Sequence, residues 1–234
     1  MSALKTFGRM TAGAAMAVAI ATAVPANATP STGLMLLIDD SGSISGTDFA
    51  LQKTAYINSL TSLLPTDGSV ALGVLEFDST VHTIFSLTTI DATEKANLIG
   101  ALGSMTQIGG STATGPAIED ATTALTAFTP ALSKMLIDVS TDGFGNVGVD
   151  EATAAADAIA AGVSQVNVLC IGGAANCSFN AGTGSFNIPA TFDTIEASLT
   201  DKLTRELSIP EPSSMALLGI AAVGVARTFR RKRS

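Results

Sequence analysis

Leu34-Met35-Leu36-Leu37-Ile38 is apolar at every position, the pattern of a strand buried on both faces of a parallel sheet. Lys134 to Val139 and Gln165 to Ile171 have similar apolar runs. Between and around these runs lie segments with helical character: Thr47 to Leu64 (Phe49, Leu51, Ile57, Leu60, Leu64), Asp91 to Met105, Thr114 to Phe128 (Ile118, Ala121, Leu125), Val149 to Ala161 and Ala190 to Leu207. Ser69 to Phe77 and His82 to Leu87 read as two strands joined by Asp78-Ser79-Thr80. So short a link makes only an antiparallel hairpin. The alternation predicts an α/β, doubly wound, mostly parallel sheet with one antiparallel edge strand and helices on both faces. Ligands of such sheets gather at the carboxyl ends of the strands.

What stands at those ends is oxygen chemistry. Asp39-Asp40-Ser41-Gly42-Ser43 follows the first strand, Gly109-Gly110-Ser111-Thr112-Ala113-Thr114-Gly115 precedes a helix, and Ser140-Thr141-Asp142-Gly143 follows the strand at Lys134 to Val139. Carboxylates and hydroxyls without Cys or His suit a small hard cation rather than zinc. From about Gly33 to Glu206 the chain resembles the von Willebrand factor type A (VWA) family, whose fingerprint is D-x-S-x-S, a Thr in a Gly-rich loop and an Asp in a T-D-G turn. The resemblance implies a metal-ion-dependent adhesion site of Asp39, Ser41, Ser43, Thr112 and Asp142, and it aligns the threonine ligand with Thr112 rather than Thr114. It further implies direct coordination by Ser41 and Ser43, with Asp39 and Asp142 acting largely through water. The cation would be Mg²⁺, with Mn²⁺ or Ca²⁺ as substitutes, and a partner's carboxylate would complete its coordination.

Other polar residues read as structural. Asp40 is expected to hydrogen-bond within its turn and Asp138 to make a structural hydrogen bond inside its strand. Glu76 and Asp78 flank Phe77, where they would serve a secondary cation site or a buried polar contact. His82 is the only histidine, and no G-x-S-x-G elbow accompanies it, so no enzymatic activity is expected. Cys170 and Cys177 are the only cysteines. In an exported chain they are expected to form a disulfide, with a free buried Cys170 as the alternative. The Gly-, Asn- and Ser-rich segment Gly172 to Asn187 reads as a long loop, either a recognition loop or a surface excursion.

Both ends carry addresses. Lys5 and Arg9, the apolar stretch Met10 to Val24 and Ala26-Asn27-Ala28 read as a signal peptide over residues 1–28. That leaves a domain at 29–209 and a sorting segment at 210–234. The latter runs Pro210-Glu211-Pro212, apolar Ser213 to Ala226, then Arg227-Thr228-Phe229-Arg230-Arg231-Lys232-Arg233. This order resembles the PEP-CTERM sorting signal of Gram-negative bacteria, which implies engagement by a membrane exosortase. Fourteen residues cover only about 21 Å of a ~30 Å hydrocarbon core. That length suits transient membrane engagement, inner-membrane anchoring before processing, and later release to the cell surface or extracellular matrix.

Without its ends the domain keeps five basic residues against nineteen acids, a net charge near −14. Such a balance argues against nucleic acid. With no Trp and one Tyr, it also lacks the aromatic platforms common in sugar-binding clefts. The expected function is a surface-sorted adhesion module that captures a protein or matrix carboxylate through a divalent cation. The alternative is a structural component of an exopolysaccharide or biofilm matrix, with the metal stabilising only the fold.

Overall fold

The computed structural model describes residues 28–172 and 177–208. The signal peptide and the sorting segment expected at the two ends therefore lie outside the described residues, apart from Ala28. Six strands form one sheet: β1 (Thr32–Asp39), β2 (Asp67–Phe77), β3 (Val81–Asp91), β4 (Lys134–Thr141), β5 (Gln165–Ile171) and β6 (Asn187–Ala190). Among the described residues five helices accompany them: α1 (Gly46–Leu63), α2 (Ala92–Ser104), α3 (Thr114–Ala127), α4 (Glu151–Ala160) and α5 (Ile195–Leu207). The strand order is β3-β2-β1-β4-β5-β6, with β2–β3 antiparallel and every other pair parallel.

The all-apolar character of β1 follows from its position. Leu34, Leu36 and Ile38 join one core with Phe49, Tyr56 and Leu60 of α1, Leu98 and Leu102 of α2, and Leu199 and Leu203 of α5. Met35 and Leu37 point the other way, into a core with Ala117, Ile118 and Leu125 of α3 and Ala154 and Ala158 of α4. Alternate residues of one strand thus face two helical layers. Three of these helices begin on side-chain caps: Ser45 accepts from Asp48 N, Asp91 from Glu94 N, and Asp150 from Ala152 N and Thr153 N.

Two expectations require correction. The last helix starts at Ile195, not Ala190, because Asn187–Ala190 pairs with β5 as the sixth strand. The segment read as loop therefore ends in a strand, and Val166 makes an additional bridge to Ala181 within it. The order of strand addition reverses around β1, with β2 on one side and β4 on the other, so the crevice at their carboxyl ends is the topological switch point of the sheet. Among the described residues, no helix is long and apolar enough to cross a membrane.

Candidate metal centre

Asp39 closes β1 and Thr141 closes β4, and the two meet. Thr141 Oγ1 donates to Asp39 Oδ2 at 2.5 Å, and the Ser41 amide donates to Asp39 Oδ1 at 2.9 Å. Both oxygens of this fully buried carboxylate are therefore oriented by the chain. Above it, Ser41 Oγ and Ser43 Oγ lie 3.1 Å apart, and Ser43 Oγ donates to Asp142 Oδ1 at 2.7 Å. Four of the five expected ligands are joined in one hydrogen-bonded group.

Thr112 is placed by its backbone. Its amide donates to Asn146 Oδ1 at 2.9 Å, and its carbonyl accepts from Asn146 N at 2.8 Å. Gly42 N donates to Gly110 O at 3.0 Å, which ties the Thr112 loop to the serine loop. Gly110 has φ +125°, and a Cβ there would lie 2.5 Å from Ser79 Oγ, so only glycine fits this approach. Among the described residues, the Thr112 hydroxyl has no hydrogen bond to the other four. Thr114 opens α3 with no exposed surface and an unpartnered hydroxyl, whereas Thr112 retains 6% exposure.

Several supporting residues escaped the sequence reading. Gln52, buried in α1, donates to Asp39 O at 3.0 Å, and Gln107 Nε2 donates to Ile44 O at 2.7 Å. Asp40 accepts from Ile108 N at 2.9 Å, so it reaches beyond its own turn to the neighbouring loop. The only available signal was the position of Gln52 at helical spacing from Phe49 and Tyr56 on the buried face of α1.

The electrostatics suit a cation. Burial raises Asp39 to about 6, against the opposing hydrogen bonds from Thr141 and Ser41, and the Asp142 charge adds to the rise. Burial also raises Asp40 and lifts Glu76 to about 7, where the Asp40 charge contributes next. Among the described residues, no group of three or more His, Cys, Asp or Glu is placed to hold a metal. The donor set at the strand ends is two carboxylates with serine and threonine hydroxyls, which fits a hard octahedral ion such as Mg²⁺.

The remaining candidates have other roles. Asp138 makes a buried structural contact inside its strand: it pairs with Lys202 at 2.5 Å, and Tyr56 and Glu206 also face it. His82 Nε2 lies 2.8 Å from Thr80 Oγ1 and 3.6 Å from Asp78 Oδ1, with no contact to Ser41 or Ser43. Cys170 and Cys177 form a disulfide with Cα atoms 5.7 Å apart, at the carboxyl end of β5.

A family model described as "Protein of unknown function (DUF1194)" matches residues 29–211, most of the chain. The chain belongs to the DUF1194 family. A second model, the PEP-CTERM protein-sorting motif, matches residues 208–232. It indicates export and surface sorting in a Gram-negative bacterium, with processing by exosortase. Comparison with curated proteins finds no match.

Solved structures similar to this DUF1194 member carry the VWA fold. Proximal thread matrix protein 1 from the mussel byssus is 20% identical with a TM-score of 0.61, over 74% of this chain and 46% of that one. Another structure of that mussel protein is described as having a zinc-occupied MIDAS motif. The pilus adhesin SpaC from Lactobacillus rhamnosus GG is 18% identical with a TM-score of 0.62, over 78% of this chain and 30% of that one. The vWF domain of the type V pili tip protein Mfa5 from Porphyromonas gingivalis is 11% identical with a TM-score of 0.61, over 79% of this chain and 99% of that one. This chain thus spans less than half of the mussel protein and under a third of the pilus adhesin. What all of them share is the fold.

Proposed function

We propose that this DUF1194 protein is an exported binding module, without enzymatic activity, that captures a carboxylate of a protein or matrix partner through a divalent cation. The observation that carries the reading is the joined group of Ser41, Ser43 and Asp142 above a fully oriented Asp39. Ser41, Ser43 and Thr112 offer neutral hydroxyl oxygens, and Asp39 and Asp142 offer carboxylates suited to water-mediated contact. Bound Mg²⁺ supplies a positive centre with too few direct anionic ligands, and so an affinity for an outside carboxylate. The Asp39 carboxylate, already engaged by Thr141 and Ser41, holds the serine loop in place below that centre.

The rim supports recognition of more than a bare anion. Ile108 and Phe144 are 57% and 53% exposed, and they sit on the loops bearing Thr112 and Asp142. Large exposed apolar side chains beside a polar centre are a feature of contact surfaces. Cys170, at the carboxyl end of β5 and joined to Cys177, lies at the same end of the sheet.

The test is capture of the producer's own extracellular material by the purified protein, in Mg²⁺ and in chelator, with far-UV dichroism followed in parallel. Capture lost in chelator while the fold persists supports the binding module. Capture that survives chelation favours the matrix-structural role.

A further inference from the structure

The inner face of α5 carries a cluster that the cation site does not use. Lys202 has no exposed surface and is the one fully buried lysine among the described residues, a rare state for that side chain unless it is paired. Its Nζ lies 2.5 Å from Asp138 Oδ2 and 3.1 Å from Glu206 Oε1, and both acids are equally buried. The Lys202 contact is not aligned as a hydrogen bond on either Asp138 oxygen, and the Tyr56 hydroxyl and Glu206 also face this carboxyl group. Yet the amine is nearer than the ~2.7–2.9 Å of an aligned charge-assisted bond. The nitrogen is thus pressed against the carboxyl group rather than aligned on a lone pair.

Glu206 is fixed beside this contact. Asn167 Nδ2 donates to Glu206 Oε1 at 2.9 Å, and Asn167 Oδ1 is itself held by the Phe186 amide at 3.1 Å. Glu206 Oε2 makes no well-aligned hydrogen bond among the described residues, and the Asp138 carboxyl group faces it. Leu34, Leu36, Leu136, Leu169, Leu199 and Leu203 belong to the same core. Two reacting groups held within van der Waals reach in an apolar core meet the condition under which proximity replaces a bimolecular encounter.

We propose that Lys202 and Asp138 condense into an intramolecular isopeptide bond, with Glu206 as the acid–base group. Proton exchange within the pair leaves a neutral amine facing a protonated carboxyl group. The Nζ lone pair attacks Asp138 Cγ and the C–N bond forms. Glu206 donates its proton to the departing hydroxyl and takes one from the nitrogen. The Cγ–O bond breaks, one water leaves, an amide remains, and Glu206 ends as it began. The step requires no oxidant or cofactor.

Burial, followed by the Asp138 charge, raises Glu206 well above the usual carboxyl range, against the opposing charge of Lys202. The shift favours the protonated form that the step needs. The bond would fasten α5 to β4, next to the central strand. Tension applied at the carboxyl end would then reach the sheet instead of peeling α5 away.

The test is the intact mass of the full exported protein after disulfide reduction, with tandem mass spectrometry of its tryptic peptides. The expected wild type is lighter by one water, resists cleavage after Lys202, and yields a branched peptide joining β4 to α5. Glu206→Gln keeps the side-chain volume and can still accept from Asn167. It should form the bond about a hundredfold more slowly or worse. Asp67-Gly68 and Asp142-Gly143 also lose water by imide formation, so the position of the loss decides. A wild type at full sequence mass, or a loss mapped to either Asp-Gly pair with free cleavage after Lys202, overturns the proposal. Full cross-linking in Glu206→Gln overturns the role of Glu206.

Discussion

Thr141 Oγ1 donates to Asp39 Oδ2 at 2.5 Å across 102 positions of sequence. The contact joins the ends of two neighbouring parallel strands, β1 and β4, at the point where the sheet reverses its winding. It aims a carboxylate with no exposed surface at the loops that carry Ser41, Ser43 and Asp142. Removing the donor tests whether that aim matters. Thr141→Val should weaken cation affinity about 10–100-fold, the usual effect of losing a group that orients a ligand. It should also lower stability by about 1–3 kcal/mol for the stranded buried acceptor. Mn²⁺ titration and urea unfolding measure the two, and unchanged affinity would contradict the orienting role.

Gly110 permits the two loops to approach. At φ +125° with Ser79 Oγ 2.5 Å from an added Cβ, Gly110→Ala should cost about 1–3 kcal/mol. It should weaken cation binding as well, because the Gly110 carbonyl accepts from Gly42 N. A folded variant with native affinity would show that this approach is dispensable.

Glu76 gives a pH dependence with a definite sign. Burial first, and then the Asp40 charge, raises it to about 7. Between the unfolded and folded values the native chain binds the extra proton, so this group's stabilisation is present at low pH and is lost as pH rises through about 7. Glu76→Gln should therefore differ little from wild type at about pH 4.5 and exceed it by about 1–3 kcal/mol at about pH 8.5. Urea unfolding in chelator measures the gap. An identical gap at the two pH values would refute the assignment.

Most of the frame was legible because it rests on patterns longer than one turn. The apolar run of β1, the hairpin link at Asp78-Ser79-Thr80 and the helical spacing of α1 to α4 each repeat a period that burial enforces. β6 was not legible. Its four residues include Pro189, they follow a glycine-rich stretch, and only pairing with β5 makes them a strand. The partner of Asp138 was hidden for a different reason. Lys202 stands between Asp201 and Leu203, at helical spacing from Ile195 and Leu199, and that spacing places it on the inner face without naming its partner on a distant strand. Within the site, the loop motifs named Asp39, Ser41, Ser43, Thr112 and Asp142. The supports Gln52, Gln107 and Asn146 act through contacts between distant segments, which local spacing does not encode.

Ile108 and Phe144 separate cation binding from partner binding. Replacing both with Ser should leave Mn²⁺ affinity unchanged and reduce capture of extracellular material about tenfold, the effect of losing about 1.4 kcal/mol of apolar contact. Capture equal to wild type would remove these two side chains from the contact surface.

Calorimetric titration of Mg²⁺ into the exported protein tests the central claim most directly. Wild type should bind a single cation, and Asp39→Ala and Thr112→Ala should show no binding in the same range while retaining the far-UV spectrum of the folded domain. Equal heats from wild type and both variants would contradict the claim that these residues form the cation site.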